Sequence, residues 1–198
     1  DFNEFLRFYT NDKYPGKEIT LVLNGDIFNL IQIDHDGVFS DVMDEDHVCR
    51  SLKKIKEGHP IFFEGLKRFN QSDKRKVVFT IGNHDAGLIF SGAKEFLCQE
   101  LGDVDVVDSY EVQGIYFEHG HRFEAINAVP VGGALRKSPQ GKDCLNLPWG
   151  SLFCVNVLPK LKKERPYIDR VRPLKSYIIW CLLHDLFFFF KLRSEEHT

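Results

Sequence analysis

The sequence predicts an α/β fold, because short apolar runs typical of buried strands alternate with segments of helical periodicity. Three such runs occupy residues 19–23, 77–81 and 115–117 and are rich in β-branched and aromatic residues. A polar cluster follows each run directly, and ligands of open α/β sheets bind beyond the carboxyl ends of the strands. The three clusters are Asn24-Gly25-Asp26, Gly82-Asn83-His84-Asp85 and Glu118-His119-Gly120-His121.

The other elements follow from the same patterns. Apolar residues at helical spacing predict a first helix over residues 2–9. An acidic loop that ends in a helix cap near Asp44 is expected next, and Gly58-His59-Pro60 separates the two helices that follow it. The further predictions are helices over residues 48–56, 61–69 and 85–101 and strands over residues 104–107 and 110–112.

The character of the chain changes after residue 121. Gly and Pro predict loops at residues 131–133 and 138–141, and apolar residues predict helices over residues 152–161 and 174–190. The second helix is very apolar, yet it is shorter than the roughly 20 residues that span a bilayer. It is therefore interpreted as part of a helical insertion. Burial against other parts of the chain and a peripheral membrane contact through residues 174–190 both stay open.

Length and composition indicate one domain, or most of one, with a hydrophobic core. The chain has 198 residues, of which 43% are hydrophobic. Its five cysteines are odd in number and form no Cys-x-x-Cys pair, which argues against a disulfide framework or a zinc knuckle. A reducing, cytoplasmic location is expected, with peripheral attachment to a membrane as a variant.

The net charge of −3 hides an asymmetry between the two parts of the chain. Residues 1–121 carry a net charge of −9, and residues 122–198 carry +6. The basic part is either a solvated helical face or a surface that attracts an anionic substrate or lipid. Basic and aromatic residues do not alternate as they do in nucleic-acid grooves, so no nucleic-acid partner is expected. The oligomeric state is not predicted.

The three clusters resemble the signature blocks of a known enzyme family. Gly25-Asp26, Gly82-Asn83-His84-Asp85 and His119-Gly120-His121 are similar to the second, third and fourth blocks of the calcineurin-like metallophosphoesterases, in the same order and each after a strand. The likeness is strongest to the bacterial branch that includes the UDP-2,3-diacylglucosamine pyrophosphatases. The resemblance covers residues 1–127 and implies an αββα sandwich.

The resemblance also implies what is missing. The first family block, Asp-x-His, and the last, Gly-His-x-His, do not occur in the 198 residues. Residues 1–127 are therefore expected to be a partial core and residues 128–192 a helical insertion or cap. Upstream sequence is expected to contain the Asp-x-His. Residues 193–198 resemble a translated sequencing adaptor and are expected to be an artefact.

The family implies two divalent metal ions, and its ligands can be carried over by motif. Asp26 would bridge the ions, whereas Asn83 and His119 would bind the second one. His121 is grouped with these ligands. Its alternatives are a position behind them, where it supports a ligand, and no role in metal binding. Oxygen and imidazole ligands suit Mn²⁺ first, and Fe, Zn or Mg ions also accept parts of this set.

The family also implies a proton donor, His84, which faces the phosphate and does not bind metal. Many relatives orient this imidazole with an Asp three residues after the motif Asp, where this chain has Asn29. An amide holds the ring without adding a negative charge. Asp85 or Asp34 is expected as a substitute, so the predicted catalytic group is His84, Asn29 and Asp85.

The resemblance therefore predicts a metal-dependent phosphohydrolase that cleaves phosphoester or pyrophosphate bonds. Its substrate would be a phosphate-containing small molecule or, as a sharper variant, a lipid-linked compound such as an acylated nucleotide sugar. The alternative is a binding or scaffold module of the same fold that has lost turnover. The missing blocks and Asn29 favour this alternative for the 198 residues.

Overall fold

The computed structural model describes residues 1–10, 14, 16–171 and 173–185. The chain is mixed α/β, as predicted, and its helices accompany small sheets that do not close. It divides into two compact units, of which the first ends at Ser151 and the second begins at Leu152. Residues 186–190 of the last predicted helix and the tail at residues 193–198 lie outside the described residues.

A three-stranded parallel sheet forms the centre of the first unit. Strand β1 (Ile19–Asn24) and strand β3 (Asp105–Val107) flank strand β2 (Arg75–Thr80). Residues 77–80 of β2 are fully buried, as expected of a central parallel strand. In register, Asn24 pairs with Thr80, so β1 and β2 end at the same edge of the sheet.

Four helices pack against one another beside this sheet, and α3 is the one that contacts β2. Helix α1 packs on α3, which in turn packs on β2 and α4, and α2 packs on α4. The Asp44 side chain caps α2 by accepting the His47 amide at 2.9 Å, as expected for this position. The helices are α1 (Phe2–Thr10), α2 (Glu45–Gly58), α3 (Pro60–Asn70) and α4 (Ser91–Leu101).

The single helix predicted over residues 85–101 is wrong in its first part. The segment Ala86–Ile89 is a short 3-10 helix, Phe90 is extended with φ −69° and ψ 141°, and only then does α4 begin. Glu45 stabilises this start, because its carboxylate accepts the Ser91 hydroxyl at 3.1 Å. The break leaves residues 82–85 as a loop at the end of β2.

Two antiparallel hairpins follow. Strands β4 (Ser109–Val112) and β5 (Ile115–Glu118) agree with the predicted strands and are joined by a turn at Gln113–Gly114 in which both residues have positive φ. The second hairpin pairs β6 (Leu135–Lys137) with β7 (Asp143–Leu145) around the predicted loop at residues 138–141. These two short strands were not predicted. The αββα sandwich stays a prediction.

The end of the described chain is helical. The helix predicted over residues 152–161 is interrupted at Val157, after which Pro159 lies in the first turn of a new helix. Among the described residues, no helix has the length and apolarity needed to cross a membrane. The helices are α5 (Trp149–Asn156), α6 (Leu158–Glu164) and α7 (Leu174–His184).

Candidate metal centre

The first functional loop leaves β1 through residues with left-handed backbone. Asp26 has φ 53° and Asn29 has φ 48°, a region that L residues other than Asn and Asp rarely adopt. The carboxylate of Asp85 holds this loop. It accepts the backbone amides of Phe28 and Asn29 at 3.0 Å each, and also that of Ile27. A buried acceptor from another loop thus fixes an uncommon backbone conformation.

A second bond runs in the opposite direction between the same two loops. Oδ1 of Asp26 accepts the backbone amide of His84 at 2.8 Å. The approach is so close that a Cβ on Gly82 would lie 2.5 Å from the Asp26 amide nitrogen, so only glycine fits there. The two predicted blocks therefore form one unit, in which each loop supplies a carboxylate to backbone amides of the other.

His84 is held by Asn29. Nδ1 of the imidazole lies 2.7 Å from Oδ1 of Asn29, whose amide nitrogen donates to Gln32 at 3.2 Å. With Oδ1 as the acceptor, Nδ1 of His84 carries the proton, and Nε2 has the free lone pair in the neutral ring. Burial lowers the pKa of His84, and the charge of Asp26 opposes this effect.

Neither predicted substitute contacts His84 through its carboxylate. Asp85 is fully buried, and its carboxylate is occupied by the three amides. Burial raises the pKa of Asp85 to about 6, although these hydrogen bonds lower it. Asp34 instead contacts Lys54 and the Gly37 amide. Asp85 therefore acts on the loop that contains Asn29, and Asn29 alone among these residues bonds the imidazole.

His119 faces Asp26 from the end of β5. Its Nδ1 lies 3.1 Å from the carbonyl oxygen of Asn24, and its Nε2 lies 3.2 Å from Oδ2 of Asp26. A carbonyl oxygen can only accept, so this contact is a hydrogen bond when Nδ1 carries the ring proton. In the neutral ring, the lone pair of Nε2 then faces a carboxylate oxygen. Two such acceptors are compatible at this distance when a cation lies between them or when the ring is protonated.

His121 and Asn83 contribute further polar atoms. Nδ1 of His121 is buried without a hydrogen-bond partner, and the ring centroid lies 5.5 Å from that of His119. Burial lowers the pKa of His121, which favours the neutral ring that metals bind. Asn83 is only 6% exposed, and within the described residues its side chain makes no hydrogen bond. Both side chains have atoms free for a ligand.

These side chains meet at one cavity of about 280 Å³. Two lining residues, Glu124 and Asn127, were missed by the sequence analysis. The Asn127 amide donates to the Glu124 carboxylate at 2.6 Å. They belong to no motif, and their closeness in sequence to His121 is the only signal that points to them. The predicted site residues that line the cavity are Asp26, Asn83, His84, His119 and His121.

The donor atoms fit one divalent ion. The 3.2 Å between Nε2 of His119 and Oδ2 of Asp26 suits two ligands of one ion, with bonds of about 2.1 Å. The Asn83 amide would supply the third ligand, a second oxygen of the hard type. In the part of the chain that the structure describes, no three His, Cys, Asp or Glu side chains are grouped to hold a metal. Asp26, Asn83 and His119 still supply donor atoms that suit one divalent ion.

Comparison of the chain with protein-family models, with curated proteins and with solved structures gives no match. The resemblance in the three blocks therefore stays a prediction. The feature that bears on function is the arrangement of Asp26, Asn83, His84 and His119 at the cavity.

Proposed function

We propose that the protein is a metal-dependent phosphohydrolase of the metallophosphoesterase type that cleaves phosphoester or pyrophosphate bonds. One observation carries this proposal. A carboxylate and an imidazole, those of Asp26 and His119, have facing acceptor atoms 3.2 Å apart in the cavity that His84 also lines. The proposal includes the αββα core, to which residues 1–127 would contribute.

The side chains have distinct roles in this proposal. Asp26, Asn83 and His119 hold a divalent ion, Mn²⁺ being the first choice, which supplies Lewis acidity and lowers the pKa of water. His84 binds a phosphate oxygen through Nε2, since Nδ1 is bonded to Asn29. The negative charge of a phosphate favours the imidazolium, and the proton that Nε2 then holds can pass to the leaving oxygen.

The second ion of the family belongs to the proposal only by resemblance. Asp26 is the residue that would be shared between two ions. The remaining ligands are expected in the Asp-x-His and Gly-His-x-His blocks. His121 stays a candidate ligand because its buried Nδ1 has no hydrogen-bond partner.

Exposed apolar side chains support the lipid-linked variant of the substrate. Phe123, Ile126 and Val131 are exposed in the segment that directly follows His121. On α7, Trp180 and Leu183 are exposed as well, which supports a peripheral membrane contact within residues 174–190. The proposed location is the cytoplasm, since none of the five cysteines forms a disulfide.

The binding or scaffold module is the second candidate function. The observation that favours it is the lack of a grouped set of three His, Cys, Asp or Glu ligands in the described part of the chain. A site of this kind would bind phosphate through His84 and would catalyse no hydrolysis. Metal content and hydrolysis separate the two candidates.

The test uses the protein encoded by the complete source gene. Hydrolysis of p-nitrophenyl phosphate and bis-p-nitrophenyl phosphate is measured with Mn²⁺, and Mn²⁺ binding is measured by calorimetry. We expect Asp26→Ala to abolish metal-dependent hydrolysis and His84→Ala to slow it by roughly 10²–10⁴-fold while Mn²⁺ stays bound. The matched controls are Asp73→Ala and His59→Ala, which change exposed residues of the same types.

The outcomes are distinct. Hydrolysis that requires Mn²⁺ and falls only in the two site variants supports the phosphohydrolase. Bound Mn²⁺ without hydrolysis of these or lipid-linked substrates favours the binding module. If the protein shows neither Mn²⁺ binding nor hydrolysis, the metal centre is refuted.

A further inference from the structure

Asn24 is held at both ends of its side chain. It is the last residue of β1 and pairs in register with Thr80. The Thr80 hydroxyl donates to Oδ1 of Asn24 at 2.8 Å, and Nδ2 of Asn24 donates to the carbonyl oxygen of Glu118 at 2.9 Å. Thr80 is fully buried, so its hydroxyl depends on this partner. The position therefore requires an acceptor on one side and a donor on the other, which an amide supplies.

The main chain of the same residue contacts His119. The carbonyl oxygen of Asn24 accepts the Nδ1 proton of His119 at 3.1 Å. Glu118 directly precedes His119, so the bond from Nδ2 of Asn24 fixes the backbone immediately before the imidazole. One residue thus fixes both the backbone position and the ring orientation of His119.

We propose that Asn24 is a positioning residue that selects Nε2 of His119 as the metal-binding nitrogen. With Nδ1 bonded to the Asn24 carbonyl, only Nε2 presents a lone pair, and it points at Oδ2 of Asp26. The metal part of this inference rests on the proposed function, whereas the contact of Nδ1 with the Asn24 carbonyl is a property of the metal-free protein. Asn24 acts through His119 and would contact neither the ion nor the substrate.

The expected change in metal affinity follows from how metal-binding imidazoles are held. A group that fixes the second ring nitrogen sets the tautomer and orientation of the ligand. Its loss typically weakens metal binding by roughly 10–100-fold. Replacing Asn24 removes the tie to Glu118 but leaves the carbonyl at residue 24, so the ring becomes free to shift away from that carbonyl.

The test first measures the hydrogen bond of His119 Nδ1. Two-bond ¹H–¹⁵N spectra of the protonated imidazoles are recorded without metal, because the Nδ1 signal then reports its hydrogen bond to the Asn24 carbonyl, and Mn²⁺ affinity is measured by calorimetry at neutral pH. The variants are Asn24→Ala and the milder Thr80→Val, which keeps the shape of the side chain and removes only the hydroxyl. The matched control is Asn70→Ala, because Asn70 also bridges two segments, through bonds to the Leu101 carbonyl and the Val77 amide.

We expect only the hydrogen-bonded Nδ1 signal of His119, and no mixture of bonded and free rings, in the unaltered protein and in Asn70→Ala. Asn24→Ala should give a mixture and roughly 10–100-fold weaker Mn²⁺ binding, and Thr80→Val a smaller change of the same kind. An unchanged His119 spectrum in Asn24→Ala overturns the inference, as does an equal change in Asn70→Ala. If the spectra change as expected but the unaltered protein does not bind Mn²⁺, the positioning of His119 stands and the proposed function fails.

Discussion

Asn29 and His84 are joined by a hydrogen bond of 2.7 Å between Oδ1 and Nδ1. The amide fixes the tautomer and the orientation of the imidazole but brings no negative charge. Because burial lowers the pKa of His84, the ring is largely neutral at neutral pH until an anion binds. The neutrality of residue 29 is thus a property of the site that a single substitution can change.

Asn29→Asp should raise the pKa of His84, because a carboxylate at this distance stabilises the imidazolium. Asp tolerates the left-handed backbone of residue 29 about as well as Asn does, so the change adds charge with little strain. An NMR titration of His84 measures the pKa, and the alkaline limb of hydrolysis should move to higher pH with it. Gln113→Glu adds the same charge on an exposed turn and should leave His84 unchanged. An unaltered His84 titration in Asn29→Asp would contradict the prediction.

Asp85→Asn should destabilise the fold and loosen the site. The carboxylate accepts three backbone amides, whereas an Asn side chain must turn its own NH₂ group toward at least one of them. A buried amide left without a partner costs about 1–3 kcal/mol. Urea unfolding at pH 7 measures the loss. The control is Asp73→Asn, which changes an exposed carboxylate and should leave the free energy of unfolding within about 0.5 kcal/mol of the unaltered protein. An equally small effect of Asp85→Asn would refute the role of Asp85.

Gly25→Ala should weaken metal binding by displacing His119. A Cβ at residue 25 would lie 2.5 Å from Cγ and 2.7 Å from Cβ of that imidazole, so the ring must move. The control is Gly114→Ala, since both glycines have φ 77° and a Cβ on Gly114 meets nothing within 4 Å. Both variants carry the same backbone cost, about 1–2 kcal/mol. Calorimetry with Mn²⁺ should show a loss of affinity for Gly25→Ala only, and equal affinities in the two variants would refute the displacement.

The strands that carry the site could be predicted because each is a short apolar run that ends in a polar cluster. The sequence also indicated that Asp26 and His119 would meet beyond the ends of strands of one sheet. They do meet, but β5 belongs to a separate hairpin and not to the sheet of β1. The role of Asp85 could not be read from the chain. Its carboxylate contacts amides up to 58 residues away, and nothing local distinguishes it from a helix cap.

The errors in the fold have a similar cause. Residues 85–101 have helical periodicity, but Phe90 is extended and the helix begins only at Ser91. The hydroxyl of Ser91 donates to Glu45, which belongs to α2. The hairpin of β6 and β7 has only three residues in each strand, too few for a periodic signal. Part of its support is a long-range bond from the Leu145 amide to the Met43 carbonyl. Tertiary contacts therefore decide these elements, and they are not visible in local sequence.

Two imidazoles in edge-to-face contact, outside the metal centre, should make the fold sensitive to acid. The rings of His35 and His47 lie 4.6 Å apart, and His47 is 6% exposed. Burial lowers the pKa of His47, and the charges of His35 and Arg50 add to this effect. Burial lowers the pKa of His35 as well, and Nε2 of that ring is bonded to Ser51 at 3.0 Å.

The direction of the pH effect follows from proton linkage. Near and below pH 6.5, the unfolded chain binds protons at these imidazoles more readily than the folded chain does. The contribution of these imidazoles to the free energy of unfolding is therefore complete above this pH and is lost as the pH falls through the lowered folded pKa values. The loss is at most about 1.4 kcal/mol per pH unit for each ring. His47→Phe keeps an aromatic ring at this position and removes one titrating group. Urea unfolding is measured between pH 7.5 and pH 5, a range that we choose to bracket the titration. The free energy of unfolding should fall less steeply with pH in His47→Phe, and as in the unaltered protein in the exposed control His59→Gln. A slope for His47→Phe equal to that of the control would mean that the folded state accepts the proton as readily as the unfolded chain.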